Sequence, residues 1–319
     1  MVALWREKLR ENFTSWPKLA HYLQLPLEAG AAPTQFPLNL PLRLAEKIEK
    51  GRWDDPILLQ FLPTSKEDEK TEGFVKEPVL DQAFQLGPKL LKKYHDRVLL
   101  LPTSACAMHC RFCFRKNFPY AETKEDDLAA EFEAIKQDTS IEEVILSGGD
   151  PLSLSNQRLA DILDKIKACS HVKRLRFHTR FPIGIPERID SEFIDMLQSF
   201  PGQVFFVIHT NHPLEWDEDV ALAHERLRKV GIVLLSHTVL LKNVNDNVEA
   251  LEALCRRLVN SGVIPYYLNQ LDRVEGTAHF EVKREQGIAL IKELRSRLSG
   301  YGIPTYAEEI PFLPSKQPI

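Results

Sequence analysis

From residue 96 onward the chain alternates short β-branched or leucine-rich runs with longer stretches of helical periodicity, and this alternation constrains the fold more than any other feature. The runs fall at 97–101, 143–146, 174–177, 204–208, 232–235 and 263–268. The helical stretches fall at 125–137, 156–168, 191–200, 217–230, 247–259 and 284–298. Each helical crossover returns the chain in the same direction, so six strand–helix units predict a parallel sheet. The runs are nearly continuous in apolar character, as strands covered on both faces must be. Chemistry in such sheets gathers on loops beyond the C-terminal ends of the strands. The informative residues fall there: a cysteine loop at 103–120, SGGDP at 147–151, HTR at 178–180, HTNHP at 209–213, SHT at 236–238 and NQLD at 269–272.

The cysteine loop reads TSACAMHCRFCFRKNFPY and places Cys106, Cys110 and Cys113 in a C-x3-C-x2-C spacing with no fourth cysteine nearby. Three thiolates can hold three irons of a [4Fe–4S] cluster and leave the fourth iron open to a ligand. Thiolate sets select iron–sulfur or zinc over harder metals. Structural zinc wants four nitrogen or sulfur ligands in a closed tetrahedron. His109 would complete a Cys3His set, although a second pair at knuckle spacing is missing. An inert cysteine-rich turn is the third reading. Cys169 and Cys255 fall in helical stretches and read as buried free thiols.

The flanks carry less chemistry. Residues 1–90 read as a mostly helical accessory region, 91–300 as the strand–helix core, and 301–319 as a C-terminal strand and tail. In the first region 42–50 has helical spacing with Gly51 as its stop, and the charged stretch 64–78 reads as a solvated loop or linker. At the end a strand candidate at 303–308 precedes PFLPSKQPI, whose prolines forbid a helix and predict an extended tail. A formal net charge of −4 argues against a protein built mainly to hold nucleic acid. No stretch is apolar enough to span a bilayer or serve as a signal peptide. Five cysteines, three of them clustered, do not make a secreted disulfide framework and point to a reducing cytoplasm.

The cysteine spacing resembles the radical S-adenosylmethionine (SAM) signature. Further motifs accompany it in order: YHDRVLLLPTSACAMHCRFCFRKNFPY (94–120), LSGGDPL (146–152), RLRFHTRFPIGIPERI (174–189), HTNHPLE (209–215), VLLKNVNDN (239–247), PYYLNQLDRVEGTAHF (265–280) and PSKQP (314–318). Together they resemble the lysine 2,3-aminomutase family of radical SAM, pyridoxal 5′-phosphate (PLP) enzymes. CFRKNFPYAE and LDRVEGTAHF are most like the branch, EpmB, that makes β-lysine for modification of elongation factor P. The resemblance implies an isomerase built as a partial (β/α)6 TIM-type barrel, with an N-terminal helical extension and a C-terminal tail bearing a PLP lysine. It also implies three cofactors: a [4Fe–4S] cluster, SAM and PLP.

Residue by residue, the resemblance makes Cys106, Cys110 and Cys113 the cluster ligands. Ser147, Gly148, Gly149 and Asp150 match the loop that supports the methionine amino group of SAM. Lys316 matches the lysine that carries PLP; by itself, a lysine near a C-terminus is a solvated side chain. Arg115 corresponds to the arginine that grips the substrate carboxylate, a task that suits a planar guanidinium. Its bland alternative is a cation tuning the cluster. Asp272 and Glu309 match the acidic positions that hold the distal ammonium of lysine. Arg97 and Arg180 are partners for the PLP phosphate or for SAM, or ordinary sheet-edge charges. His209 and Asn211 are contacts for SAM or PLP.

The implied partners are L-lysine, a flavodoxin- or ferredoxin-like electron donor and, indirectly, the elongation factor P pathway; homo-oligomerisation is left open. Ser236, His237 and Thr238 depart from the family's frequent Asn-Gln-Ser, and the glycine-rich run before the PLP lysine of catabolic relatives is absent. Three other readings stay open. One is a 2,3-aminomutase for glutamate or arginine, with the acidic pair weighing against glutamate. Another is a radical SAM enzyme without PLP. The last is a zinc-stabilised module holding RNA through Arg111, Arg115 and Lys116.

Overall fold

The computed structural model describes residues 3–27, 36–120 and 128–319. Its centre is one sheet of ten strands in sequential order. These are β1 (Gln85–Gly87), β2 (Leu90–Tyr94), β3 (Arg97–Leu100), β4 (Glu143–Leu146), β5 (Arg174–Thr179), β6 (Gln203–His209), β7 (Val233–Val239), β8 (Ile264–Asn269), β9 (Thr305–Glu308) and β10 (Gln317–Pro318). Strands β3 to β9 are parallel, while β1, β2 and β10 add antiparallel edges. The order is linear, so the sheet forms an open, partial barrel.

The described helices are α1 (Leu4–Arg10), α2 (Trp16–Leu23), α3 (Leu42–Glu46), α4 (Ala129–Gln137), α5 (Asn156–Lys167), α6 (Phe181–Gly184), α7 (Ser191–Gln198), α8 (Glu218–Lys229), α9 (Val248–Asn260) and α10 (Arg284–Arg297). Four crossover helices start on side chains that satisfy an otherwise orphaned backbone N–H: Ser155, Asp190, Asp217 and Asn247. Among the described residues, no helix is long and apolar enough to cross a membrane.

Inside the barrel the period of two decides what faces the site. On β5, Leu175, Phe177 and Thr179 are buried outward, while Arg176 and His178 stay partly exposed inward. On β7, Leu234, Ser236 and Thr238 are buried, and Leu235, His237 and Val239 turn inward. The outward faces join one apolar core that also takes Trp5, Leu19, Leu44 and Phe61 from the N-terminal region.

The structure departs from the sequence reading in three places. Residues 85–94 form a hairpin across the expected boundary at residue 90, where no strand was expected. Glu131 of α4 holds it by accepting from the Lys89 backbone N–H at 3.0 Å. The helix expected at 42–50 ends at Glu46. The stretch 64–78 is no free linker: Glu67 is ion-paired with buried Arg111, and Val75 bridges to Val274. The tail is extended, as its prolines predict, and Gln317 and Pro318 pair with Glu308 and Ala307. The expected start of the fourth helix, 125–127, and Ala121 and Glu122 of the CFRKNFPYAE motif lie outside the described residues.

Candidate active site

The cysteine loop leaves the C-terminal end of β3 and is pinned from the N-terminal side. Arg111 donates its backbone N–H to Gln60 O at 2.9 Å, and its guanidinium to Glu67 and Phe36 O. The SGGDP loop after β4 presses on it from the other side. Gly149 N–H donates to Thr103 O at 2.9 Å and Asp150 N–H to Ala105 O at 2.8 Å. A Cβ on Gly149 would lie 2.3 Å from Ala105 O, so only glycine permits this approach. Gly148 has φ +113°, a backbone conformation that other residues rarely adopt.

Cys106, Cys110 and Cys113 are unpaired thiols lining a cavity of ≈ 360 Å³. Burial raises all three thiol pKa values, that of Cys113 to about 11. Among the described residues, no three His, Cys, Asp or Glu side chains converge on one metal ion. His109 is engaged elsewhere, stacked on Phe36 with its Nδ1 2.8 Å from Pro37 O. That geometry does not suit closed Cys3His zinc. Thiols spread around a shared space suit a polynuclear cluster, in which each cysteine takes its own iron. Arg180 puts Nη1 2.9 Å from Cys110 Sγ, and its buried Nε has no partner among the described residues. A cationic donor left open beside the thiols fits an anionic cluster.

The same cavity reaches the tail. Lys316 is half-buried there, donates to Asn269 Oδ1 at 2.7 Å and lies 5.1 Å from the Tyr267 ring centre. Burial lowers its pKa, partly offset by Asp272 and Glu309. Burial pushes Asp272 up to about 6, and Lys316 holds it back from rising further. Glu309 receives the Tyr94 hydroxyl. Between the cysteine and lysine ends runs a row of imidazoles on adjacent strands. His237 has its ring centre 5.2 Å from both His178 and His209. Burial depresses all three, His237 to about 3, so the row is neutral at physiological pH.

Of the residues singled out in the sequence, Cys106, Cys110, Cys113, Ser147, Gly148, Gly149, Asp150, Arg97, Arg115, Arg180, His209, Asp272, Glu309 and Lys316 line this one cavity. Their engagements differ from the expectations in several cases. Asp150 accepts from Thr179 Oγ1 and from the backbone of Leu152, Arg180 and Phe181, which holds the turn into α6. Burial nevertheless pushes it up to about 6. Arg97 pairs with Asp96 and stacks on Tyr94. Arg115 spends Nε on Asp81 at 2.7 Å and brings Nη1 to 3.5 Å from Ser147 Oγ. Asn211 does not line the cavity. It is fully buried, donating to Gln60 and accepting from the Val239 N–H.

Sequence reasoning gave no role to Asp81, Lys93, Tyr94 or Arg176, and none of their own to His178 and Asn269 within the HTR and NQLD loops. Asp81 is buried between Lys93 at 2.9 Å and Arg115 at 2.7 Å. Nothing local in PVLDQAF announces this. Alternation on β5 could have found Arg176 and His178, since both share the inward face with Arg174.

Comparison with known proteins decides the family. Residues 100–255 match the model of the Radical SAM superfamily. The chain is 39% identical to an L-lysine 2,3-aminomutase of Escherichia coli strain K12, over 99% of this chain and 94% of that protein. It is 40% identical to one from Haemophilus influenzae, over 96% and 93%. The chain belongs to the L-lysine 2,3-aminomutase family. A more distant member, from Clostridium subterminale, is 32% identical over 99% of this chain and 77% of its own length. Among solved structures, Streptococcus suis SuiB, crystallised with its precursor peptide SuiA, superposes with a TM-score of 0.51. It shares 14% identity over 70% of this chain and 50% of its own, which shows the shared fold alone. Membership in this family brings a [4Fe–4S] cluster and SAM with it, and the thiols, Arg180 and the glycine loop are able to receive them.

Proposed function

We propose that the protein is an L-lysine 2,3-aminomutase, an isomerase that moves the α-amino group of L-lysine to carbon 3 and yields β-lysine with PLP as a further cofactor. The observation that carries this reading is the tail. It sets a half-buried lysine, Lys316, near two carboxylates, Asp272 and Glu309, in the same cavity as the three thiols. When bound, PLP supplies an aldehyde to which an amine attaches, and SAM on the reduced cluster supplies a hydrogen-abstracting radical.

The chain's own groups do the placing. Burial favours the neutral, nucleophilic form of Lys316, the form that captures an aldehyde. Arg115, with Nε anchored on Asp81 and Nη1 reaching Ser147 Oγ at 3.5 Å, turns its remaining guanidinium N–H groups to the substrate carboxylate. Asp272 and Glu309 receive the distal ammonium. Their like charge disfavours glutamate as substrate. The neutral imidazole row offers hydrogen bonds without a fixed charge in the space where hydrogen is moved. Arg97 serves a cofactor phosphate, and Ser147 with Gly148 and Gly149 serves SAM. The docked tail and N-terminal region exclude water from the reaction.

From the motif resemblance we also place the β-lysine product in elongation factor P modification, and the chain in a reducing cytoplasm with a flavodoxin- or ferredoxin-like donor. The test is anaerobic incubation of reconstituted protein with SAM, PLP, reductant and, separately, L-lysine, L-arginine and L-glutamate. β-Lysine from lysine alone, lost in Lys316→Ala, supports the reading. Turnover of another amino acid, or PLP-independent activity in Lys316→Ala, overturns it.

A further inference from the structure

The N-terminal region contributes more to the site than apolar packing. Gln60 is fully buried although it sits in the apolar run ILLQFL. Its Oε1 accepts from Arg180 Nη2 at 2.7 Å and from Asn211 Nδ2 at 2.9 Å. Its Nε2 donates to Pro56 O at 2.8 Å and Glu215 Oε1 at 3.0 Å. Glu215 is also fully buried and lies 3.1 Å from Arg180 Nη2. It further accepts from Thr210 Oγ1 and from the backbone N–H groups of Asn211 and His212. Arg180 is thereby fixed on one side by Gln60 and Glu215, and its Nη1 lies 2.9 Å from Cys110 Sγ. The Phe61 and Phe112 rings flank the guanidinium at 4.8 and 5.7 Å and keep water from it.

A guanidinium wedged this tightly cannot swing out to follow a mobile ligand. We propose that Arg180 sets the reduction potential of the cluster through the Cys110 sulfur, with Gln60 and Glu215 as the positioning residues that hold it there. Hydrogen bonds and positive charge at a cluster sulfur favour the reduced, more negative state and raise the potential. The Glu215 carboxylate opposes that shift, since buried charges act strongly on one another at short range. The pair thus works as a trimmed positive charge: Arg180 lifts the potential, and Glu215 limits the lift. The inference rests on the cluster part of the proposed function and not on its substrate.

The test is an EPR-monitored redox titration of the reconstituted cluster in the full chain without SAM, PLP or lysine, at matched iron and sulfide content. Arg180→Gln is expected to move the midpoint to more negative values, and Arg180→Lys, which keeps the charge, to move it less. Glu215→Gln is expected to move it the opposite way, to more positive values. The glutamine keeps an acceptor for Arg180, and its new N–H can donate to Thr210. Where Arg180→Gln does not retain a full cluster, the Arg180→Gln/Glu215→Gln double variant removes both buried charges together. It is expected to have a more negative midpoint than Glu215→Gln alone. Unchanged midpoints, or shifts of the same sign in Arg180→Gln and Glu215→Gln, overturn the proposal. Because no amino acid is present, failure here is distinguishable from failure of the aminomutase reading.

Discussion

The Tyr94 hydroxyl lies 2.9 and 3.0 Å from the two carboxylate oxygens of Glu309, joining the antiparallel strand β2 to the residue that follows β9. The sheet does not close by backbone pairing, so this contact spans its open seam. Phe84 and Phe312 meet across the same seam, their rings tilted by 42° with centres 5.3 Å apart. One contact therefore ties the seam of the barrel to a carboxylate that lines the cavity.

Tyr94→Phe removes the hydroxyl and leaves the ring. A hydrogen bond to a charged acceptor contributes about 1.5–3 kcal/mol. The variant is expected to raise KM for lysine by roughly 10-fold or more, with a smaller change in kcat. Steady-state kinetics over a range of lysine concentrations checks this.

Asp272 gives a pH dependence with a defined sign. A carboxyl lifted to about 6 by burial is neutral below that pH and charged above it. kcat/KM for lysine is expected to fall as pH drops through about 6 and to hold on the alkaline side, since this ratio reports the free enzyme's groups. Asp272→Asn is expected to lose that limb and to lower kcat/KM by about 10- to 100-fold at pH 8. A pH–rate profile of both proteins decides it.

Gly149→Ala brings a Cβ within 2.3 Å of Ala105 O, a backbone atom that cannot yield cheaply. The SGGDP and cysteine loops must then separate. Reconstituted Gly149→Ala is expected to hold substantially less iron per chain than the parent while keeping its far-UV circular dichroism. Iron and sulfide analysis measures this.

Glu67→Ala removes the carboxylate that pairs with the buried Arg111 guanidinium. Breaking one side of a buried pair costs about 3–5 kcal/mol. Anaerobic denaturant unfolding of the cluster-free protein is expected to show a loss of that order.

These contacts show what the sequence disclosed and what it did not. The strand–helix core was legible because its outward residues are apolar and its loops carry glycine and proline signals, and β4 falls at the expected residues. The β1–β2 hairpin was not, since QLGPKLLKKY is short, lysine-rich and half exposed. The tail showed its importance only through resemblance. Its docking comes from pairing with β9 and from Asn269, 47 residues before Lys316, and no local pattern encodes that. Asp81 and Glu67 acquire partners 34 and 44 residues downstream, so each reads locally as a surface acid. Gln60 did carry a signal: one polar side chain inside an apolar run must find buried partners.

The most direct test follows the nitrogen. L-Lysine labelled with 13C at carbon 2 and with 15N in its α-amino group is incubated anaerobically with the reconstituted protein, SAM, PLP and reductant, then examined by NMR. The expected product keeps all the 15N but loses the one-bond 13C–15N coupling, because the nitrogen has moved to carbon 3. Release of 15N as ammonia, or lysine recovered with its coupling intact while the cluster remains intact and reducible, would contradict an aminomutase.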